Sequence, residues 1–481
     1  MDLHELEALI GPSLVAVSEN RSIDDVVVDA RVARPGSLFC CIRGFGVDGH
    51  EWVPEAIGNG AVAVVAERPL DVQVPLYVVP DGREALAVVS DEFWGRPTEI
   101  LPVVGVTGTS GKTTTAYLVH AILEAAGLTP GLFGTIETRI GIVHSASRTY
   151  SPLTFHLQRL FREMLDAGNR SCVMEATSHD SELRRLDRVR YAAMIFTNLG
   201  HEHLDFHGSL ESYYSAKQRL FLRDKPPAAV NVDDRFGRRL AGELRDNGNP
   251  LLTYGLDTDA DVRAEELVLS ERGASFRIGG LEINTSLLGR FNVENALGAA
   301  AAARLLGLSD EAIAAGLAAL DGVPGRMEPV REGQPFSVYV DFAHKPEALE
   351  AVLRTARVLT RGNVISVFGC GGDCYRGKRP MMGRIASELS DHVILTTDNP
   401  RNESPEAIVD EILTGGPAEV ELDRRAAIAR ALALAQPGDV VVVAGRGHEE
   451  KQSFADGLQE PFDDREVVRD LLRGAGSSGH D

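Results

Sequence analysis

The chain has 481 residues, of which 44% are hydrophobic and 25% charged, a balance that excludes a disordered or fibrous protein. At roughly 150 residues per domain there is room for about three. Lys and Arg number 49 against 70 Asp and Glu, a formal charge of −21 that excludes a broad basic face for nucleic acid or anionic membrane. Small anions stay open, because a local pocket of cations and backbone N–H groups can outweigh a distant acidic surface. The cysteines (Cys40, Cys41, Cys172, Cys370, Cys374) are few, odd in number and scattered, which points to reduced thiols and no disulfide framework. The acidic start MDLHELEALIG has no basic, then apolar, leader pattern, and no apolar run reaches the length of a membrane span. A soluble cytoplasmic protein is expected.

Residues 1–98 alternate short apolar runs (VVVDARV, SLFCCI, AVAVVAE, LYVVP) with turns and short helical stretches such as HEWVPEAIGNG, which predicts a small α/β domain. Residues 99–324 open on an apolar strand at Val103–Val106. A Gly/Ser/Thr loop follows, then a helix with Tyr117, Leu118, Ile122 and Leu123 on one face. The runs SCVMEAT, AAMIFTN and AAVNV predict further strands, the stretch from about 260 to 290 hairpins, and FNVENALGAAAAARLLGL and SDEAIAAGLAAL helices. Residues 325–473 restart the pattern with FSVYVDFA, a helix from Pro346 to Leu359, VISVFGCGG, HVILTTDNP and VVVVAGRGHE. Unbroken Val/Ile runs of this kind suit a parallel sheet covered on both faces. The fold class is therefore α/β in three domains, and the tail 474–481 (GAGSSGHD) is expected to be disordered.

Gly108-Thr109-Ser110-Gly111-Lys112-Thr113-Thr114 lies between the strand and the helix. Such a turn aims backbone N–H groups at an anion, and the helix N-terminus adds partial positive charge. Lys112 would neutralise phosphate oxygens and Thr113 would give its hydroxyl to Mg²⁺. The strict G-x-x-x-x-G-K-[ST] pattern is missed, since Val106 stands five residues before Gly111. Binding of a nucleoside triphosphate is the expectation.

This loop, followed in order by MEATSH, TNLGHEHLDFHG, AKQRLF, GRFNVENALGA, GRME, VDFAHKPEALE, VFGCGGD, GKRPMMG, DNPRNESPEAI and AGRGHE, resembles the Mur ligase family of peptidoglycan assembly. The blocks are nearest to the branch that adds the third peptide residue, with D-N-P-R marking acceptance of meso-2,6-diaminopimelate. The resemblance implies an N-terminal nucleotide-sugar domain, a central P-loop ATPase and a Rossmann-like C-terminal domain. It also implies ATP and Mg²⁺ as cofactors, small-molecule substrates as partners, and a monomer that engages neither nucleic acid nor membrane. Catalysis would rest on Lys112, Glu175, His203 and Lys217, and the metal on Thr113, Glu175, His203 and Lys217, the lysine carbamylated. ATP would be held by 108–114 with Asn295 at the adenine, Arg326 at the phosphates and Asp341 at the ribose. The donor would meet Asp29, Arg31, Tyr150, Ser151, Ser178 and Arg185. The amino acid would meet Arg379, Asp398, Asn399, Arg401, Gly445 and Glu449, an arginine pairing bidentately with its carboxylate.

The chain departs from the family pattern at clustered places. Asp29-Ala30-Arg31 replaces D-S-R, Tyr150-Ser151-Pro152 replaces T-T-P, and Thr177-Ser178-His179 replaces S-S-H. His201 and Glu202 stand for Arg and Asp, Lys345 for the Thr of A-H-T-P, and Arg446 for the Lys of G-K-G-H-E. Gly371-Gly372-Asp373-Cys374-Tyr375-Arg376-Gly377 replaces G-G-D-R-D-K-G. Ala30 and Tyr150 fall on the donor side, so a ligase with another carboxylate donor is the alternative. A nucleotide-binding protein without catalysis is a third reading.

Overall fold

The computed structural model describes residues 1–15, 19–44, 46–146 and 154–477. They form two compact units, one of Met1–Gly105 with Leu128–Ala192 and one of Val106–Gly127 with Ala193–Asp481. The architecture is α/β with mostly parallel strands, as the apolar runs require.

In the first unit the strands Asp25–Val27, Ser37–Cys40, Ala63–Ala66 and Leu76–Val78 pair in that order, all parallel. Successive residues of one strand enter different cores: Leu38 and Cys40 pack with Val65, Tyr77 and Val89, whereas Phe39 and Cys41 pack with Val64, Ala66 and Leu76. Both faces are thus covered, which is why these strands are apolar without alternation. Asp81 caps the helix Gly82–Phe93 by accepting from the N–H groups of Arg83 and Glu84. That helix meets Thr154–Asp166 through Phe93, Trp94 and Phe155, whose rings lie 5.2–5.5 Å apart. The parallel pair Pro130–Phe133 and Ser171–Glu175 extends into the antiparallel strands Glu137–Ile140 and Val143–Ala146.

In the second unit Tyr191–Phe196, Ala228–Asn231, Leu251–Gly255 and Val262–Arg263 run parallel, and Glu265–Ser270, Gly273–Ile278 and Leu281–Thr285 form the expected hairpins. The helix Lys112–Ala125 packs against Arg290–Leu305 and Asp310–Ala319. A further sheet has the order Glu328–Pro329, Ser337–Asp341, Val440–Ala444, Val364–Phe368, His392–Leu395, Glu419–Val420, with only the first strand antiparallel. The carboxyl ends of its strands carry Asp341, Asp398 and Gly445, the edge at which open α/β sheets present ligand sites. The helix Pro346–Leu359 has the predicted bounds, with proline in its first turn and Leu349, Val352, Leu353 and Ala356 buried.

Of the expected tail 474–481, residues 474–477 continue a helix and 478–481 lie outside the described residues. The helix Asp464–Ser477 carries the chain through Arg473 and Gly474, and Arg473 Nε donates to Glu332 at 3.0 Å. An amphipathic pattern with Val467 and Val468 buried on one side extends the helix past the glycines that suggested disorder. All five cysteines are free, and burial pushes the Cys41 and Cys370 thiols up to about 12. No helix among the described residues is long and apolar enough to cross a membrane.

Candidate active site

The strand Val103–Thr107 delivers the chain into the glycine-rich loop, and the helix starts at Lys112 with Gly111 left-handed at φ 86°. A Cβ on Gly111 would lie 2.4 Å from Asn295 Oδ1, so only glycine lets the helix Arg290–Leu305 close on the loop. The segment 197–200 wraps the other side. Thr197 Oγ1 donates to the Ser110 carbonyl at 2.7 Å, Asn198 Oδ1 accepts from Ser110 N at 2.9 Å, and Gly200 N donates to Thr109 Oγ1 at 2.9 Å.

Three ammonium groups converge on two consecutive carbonyls of this loop. Lys112 Nζ donates to Gly108 O at 2.9 Å and Thr109 O at 3.2 Å, Lys217 Nζ to Gly108 O at 3.0 Å, and Lys345 Nζ to Thr109 O at 3.2 Å. Lys217 is buried with its ammonium 4.6 Å from the Tyr213 ring centroid. Burial, then Lys112 and Lys345, holds the Lys217 amine well below the usual lysine range. Lys345 is lowered too, first by burial. Like charges about 6 Å apart repel by roughly 3 kcal/mol at an effective dielectric of about 20. The cluster is therefore short of negative charge, and a polyanion would relieve it.

Around this cluster Arg326 Nη2 donates to Thr113 Oγ1 at 3.2 Å, its guanidinium lying 4.6 Å from the Phe342 ring. Phe342 also carries His344 and His448 at 4.5 and 5.0 Å. Burial, then Arg326, lowers His448 to about 3, so that imidazole is neutral. Asp341 accepts from Met327 N at 2.7 Å, and burial raises its carboxyl to about 6. Asn295 is oriented by Thr115 at 3.3 Å and Asn292 at 3.0 Å.

The four expected metal-site residues divide between the units. In the first, Glu175 ends its strand buried, accepting from Thr135 N at 2.8 Å and Thr135 Oγ1 at 3.1 Å. In the second lie Thr113, Lys217 and His203, the last left-handed at φ 56° and edge-on to Tyr213 at 6.0 Å. No group of three or more His, Cys, Asp or Glu gathers among the described residues. A hard cation that keeps water and phosphate oxygens in its shell needs only one or two protein oxygens, and the Thr113 hydroxyl at the start of the loop helix is an oxygen that fits Mg²⁺.

On the expected donor side Asp29 and Arg31 pair with each other at 2.7 Å around buried Ala30. Ser178 is buried at the start of the helix Ser178–Glu182, and Arg185 Nη1 lies 3.4 Å from Asp180. Tyr150 and Ser151 lie outside the described residues. Motif reading missed Arg184, which donates to Asp81, Glu84 and Asp187. Its partner Asp81, about a hundred positions earlier, carries no signal.

The acceptor residues gather at the carboxyl ends of the C-terminal sheet. Arg379, expected to face a substrate carboxylate, has a fully buried side chain engaged by Glu403 at 3.0 Å and Glu411 at 2.9 Å, with Nη2 also on Gly371 O. Arg379 holds Glu403 down at about 2. The guanidinium left for a ligand is that of Arg401. Its Nη1 donates to Gly372 O at 2.6 Å and Cys374 Sγ at 3.0 Å, and Nε and Nη2 make no hydrogen bond among the described residues. Asn399 Nδ2 donates to Glu449 at 2.8 Å, and its Oδ1 accepts from Arg446 Nη1 and Ser453 N, both at 2.9 Å. Arg446 also reaches Phe462 O at 2.8 Å, a two-ended clamp that a lysine could not reproduce. Asp398 Oδ2 is buried without a hydrogen bond among the described residues, and a Cβ on Gly445 would stand 2.4 Å from it. Burial, then Asp398, raises Glu449. Two carboxylates beside one arginine suit a ligand end bearing both an ammonium and a carboxylate.

Comparison with known proteins bears on this arrangement. The profile of the Mur ligase family, catalytic domain, matches residues 22–94, that of the Mur ligase middle domain residues 106–303, and that of the Mur ligase, glutamate ligase domain, residues 325–447. The chain is 39% identical over 490 residues to the UDP-N-acetylmuramoyl-L-alanyl-D-glutamate–2,6-diaminopimelate ligase of Bacillus cereus, covering 98% of this chain and 99% of that one. A solved structure of a ligase with the same name superposes with a TM-score of 0.72 at 30% identity over 99% of both chains. MurF ligase from Thermotoga maritima, solved in complex with ADP, shares the fold with a TM-score of 0.62 at 21% identity, over 95% of this chain and 98% of that one.

Proposed function

The chain belongs to the Mur ligase family, and from that premise we propose that it joins meso-2,6-diaminopimelate to UDP-N-acetylmuramoyl-L-alanyl-D-glutamate in the cytoplasm. It is an ATP-dependent, ADP-forming ligase. The observation that carries the choice of amino acid is the group Asp398, Glu449 and Arg401, which offers partners for the ammonium and the carboxylate at the far end of diaminopimelate. Lysine lacks that carboxylate and would leave Arg401 without its ligand.

In the reaction a donor carboxylate oxygen attacks the γ-phosphorus, the bond to the β-phosphate oxygen breaks, and ADP leaves. The amine nitrogen then attacks the acyl carbon, loses a proton, and the tetrahedral intermediate expels phosphate. Phosphoryl transfer depends on positioning and neutralisation of charge. Lys112 and Arg326 would neutralise phosphate oxygens, a role their hydrogen bonds to Gly108 O and Thr113 Oγ1 support. Mg²⁺, which the Thr113 hydroxyl would help to hold, would supply further neutralisation when bound. Lys217, with its basicity lowered, presents the neutral amine that carbamylation by CO₂ requires, and His203 stands on the same Tyr213 ring. Asn295 and Asp341 take the adenine and ribose ends, and Asp29, Arg31, Ser178 and Arg185 the donor. The protein acts as a monomer on small molecules, without nucleic acid or membrane.

Mass spectrometry of the product made from the UDP-muramoyl dipeptide, diaminopimelate and Mg·ATP tests this reading. Tripeptide should form, with ADP released only when donor and amino acid are both present. Ala30, buried where the family pattern has a serine hydroxyl, favours the second reading, a different carboxylate donor. Absence of tripeptide, with ADP released on another carboxylate, would select it.

A further inference from the structure

Lys112 belongs to the glycine-rich loop and Lys217 to AKQRLF, whereas Lys345 stands where the family pattern has threonine. We propose that Lys345 is a nucleotide-phosphate-binding residue, carried to the phosphate loop by the C-terminal part of the chain and held there by Glu202 until the phosphates arrive. The proposal rests on the ATP-dependent reading above.

Four observations support it. Lys345 Nζ and Lys112 Nζ donate to the same oxygen, that of Thr109, so Lys345 reaches the loop as closely as the motif lysine does. Lys345 immediately precedes the helix Pro346–Leu359, whose positive N-terminal end adds to the ammonium at the same place. Its counter-charge is loosely engaged: Glu202 Oε2 lies 3.9 Å away, beyond hydrogen-bond reach, and is buried without a hydrogen bond among the described residues. The groups facing Lys345 are the carboxylates Glu202 and Glu347 and the cations Arg326 and Lys378, with Lys112 and Lys217 on the loop beside it. Among the described residues Lys345 hydrogen-bonds neither of these carboxylates, and a phosphate oxygen would give its ammonium an anionic acceptor.

The departures from the family pattern also meet in space. Glu202 faces Lys345, and its neighbour His201 faces Glu347, with Nδ1 3.3 Å from the carboxylate. Glu202 keeps a carboxylate at its position, and Lys345 adds a cation facing it beside the loop.

Calorimetric titration of the full-length protein tests the role, using Mg²⁺ with adenylyl imidodiphosphate as the triphosphate probe and adenosine as the phosphate-free probe. Lys345→Met should weaken the triphosphate analogue about 10-fold or more, the worth of one charge-assisted hydrogen bond, and leave adenosine within about twofold. Unchanged affinity for the analogue overturns the proposal, and so does a parallel loss for adenosine, which marks a merely structural lysine. The double variant Lys345→Thr with Glu202→Gln removes both charges of the pair and guards against misfolding. It should recover most of the affinity that Lys345→Thr alone loses, and failure to do so overturns the role of Glu202. Failure of the unaltered protein to bind the analogue would instead remove the ATP-dependent reading itself.

Discussion

The phosphate loop and the acceptor pocket are both crowded with charge, yet they are wired in opposite ways. At the loop, Lys112, Lys217 and Lys345 share two backbone carbonyls, and Glu202 stands 3.9 Å from Lys345. In the acceptor pocket the terminal nitrogens of Arg379 are paired with Glu403 and Glu411, and Asn399 is engaged by Glu449, Arg446 and Ser453. An unbalanced cluster stores repulsion that a ligand relieves, whereas a balanced one fixes the orientation of the few groups left over. Removing a charge should therefore have opposite consequences in the two places.

The largest expected effect is at the loop. Lys217→Met should lower ADP release by about 10³-fold while the protein melts no lower than before, because a buried amine without a carboxylate partner contributes little to stability. A melt that falls by many degrees would break the contrast. Arg379→Met should do the reverse and lose about 4 kcal/mol in a denaturant titration by stranding two carboxylates, with little change in the KM for the amino acid in the folded fraction. A large rise in that KM at unchanged stability would return Arg379 to the substrate.

A smaller effect belongs to Asp341. Its folded carboxyl, raised from 3.8 to about 6, binds a proton more tightly than in the unfolded chain. Stability should thus fall as pH rises from about 4 to about 6, and the loss should be complete above that window. Asp341→Asn removes the slope. The shift is equivalent to about 3 kcal/mol, and a weaker bond to Met327 N leaves a net gain of about 2 kcal/mol at pH 7. Chemical melts at pH 4 and pH 7 check it. The smallest change is Arg401→Ala, which should raise the KM for diaminopimelate about 10-fold and leave stability within about 0.5 kcal/mol. Equal KM in variant and parent would deprive the pocket of its ligand-facing arginine.

Much of this was legible in the chain. VISVF and VVVVA read as buried parallel strands and became Val364–Phe368 and Val440–Ala444. The glycines of the loop and the proline before EALEAVL marked where two helices begin. The helix end at 474–477 was not legible, because glycines near a chain end do not suggest a helix until Val467 and Val468 are seen to be buried. Nor were the roles of Lys345 and Arg379. The lysine lies 236 positions from Thr109, and an arginine in a binding motif reads the same whether it faces a ligand or Glu403.

By itself the sequence determined what depends on near neighbours: the turn that only glycine can make, the strands whose two faces are apolar, and the order of motifs that places the chain in its family. Tertiary structure alone decided which charges are paired and which await a partner. Backbone conformation is set within a few residues, whereas Coulomb energy depends on distances and burial that only packing supplies.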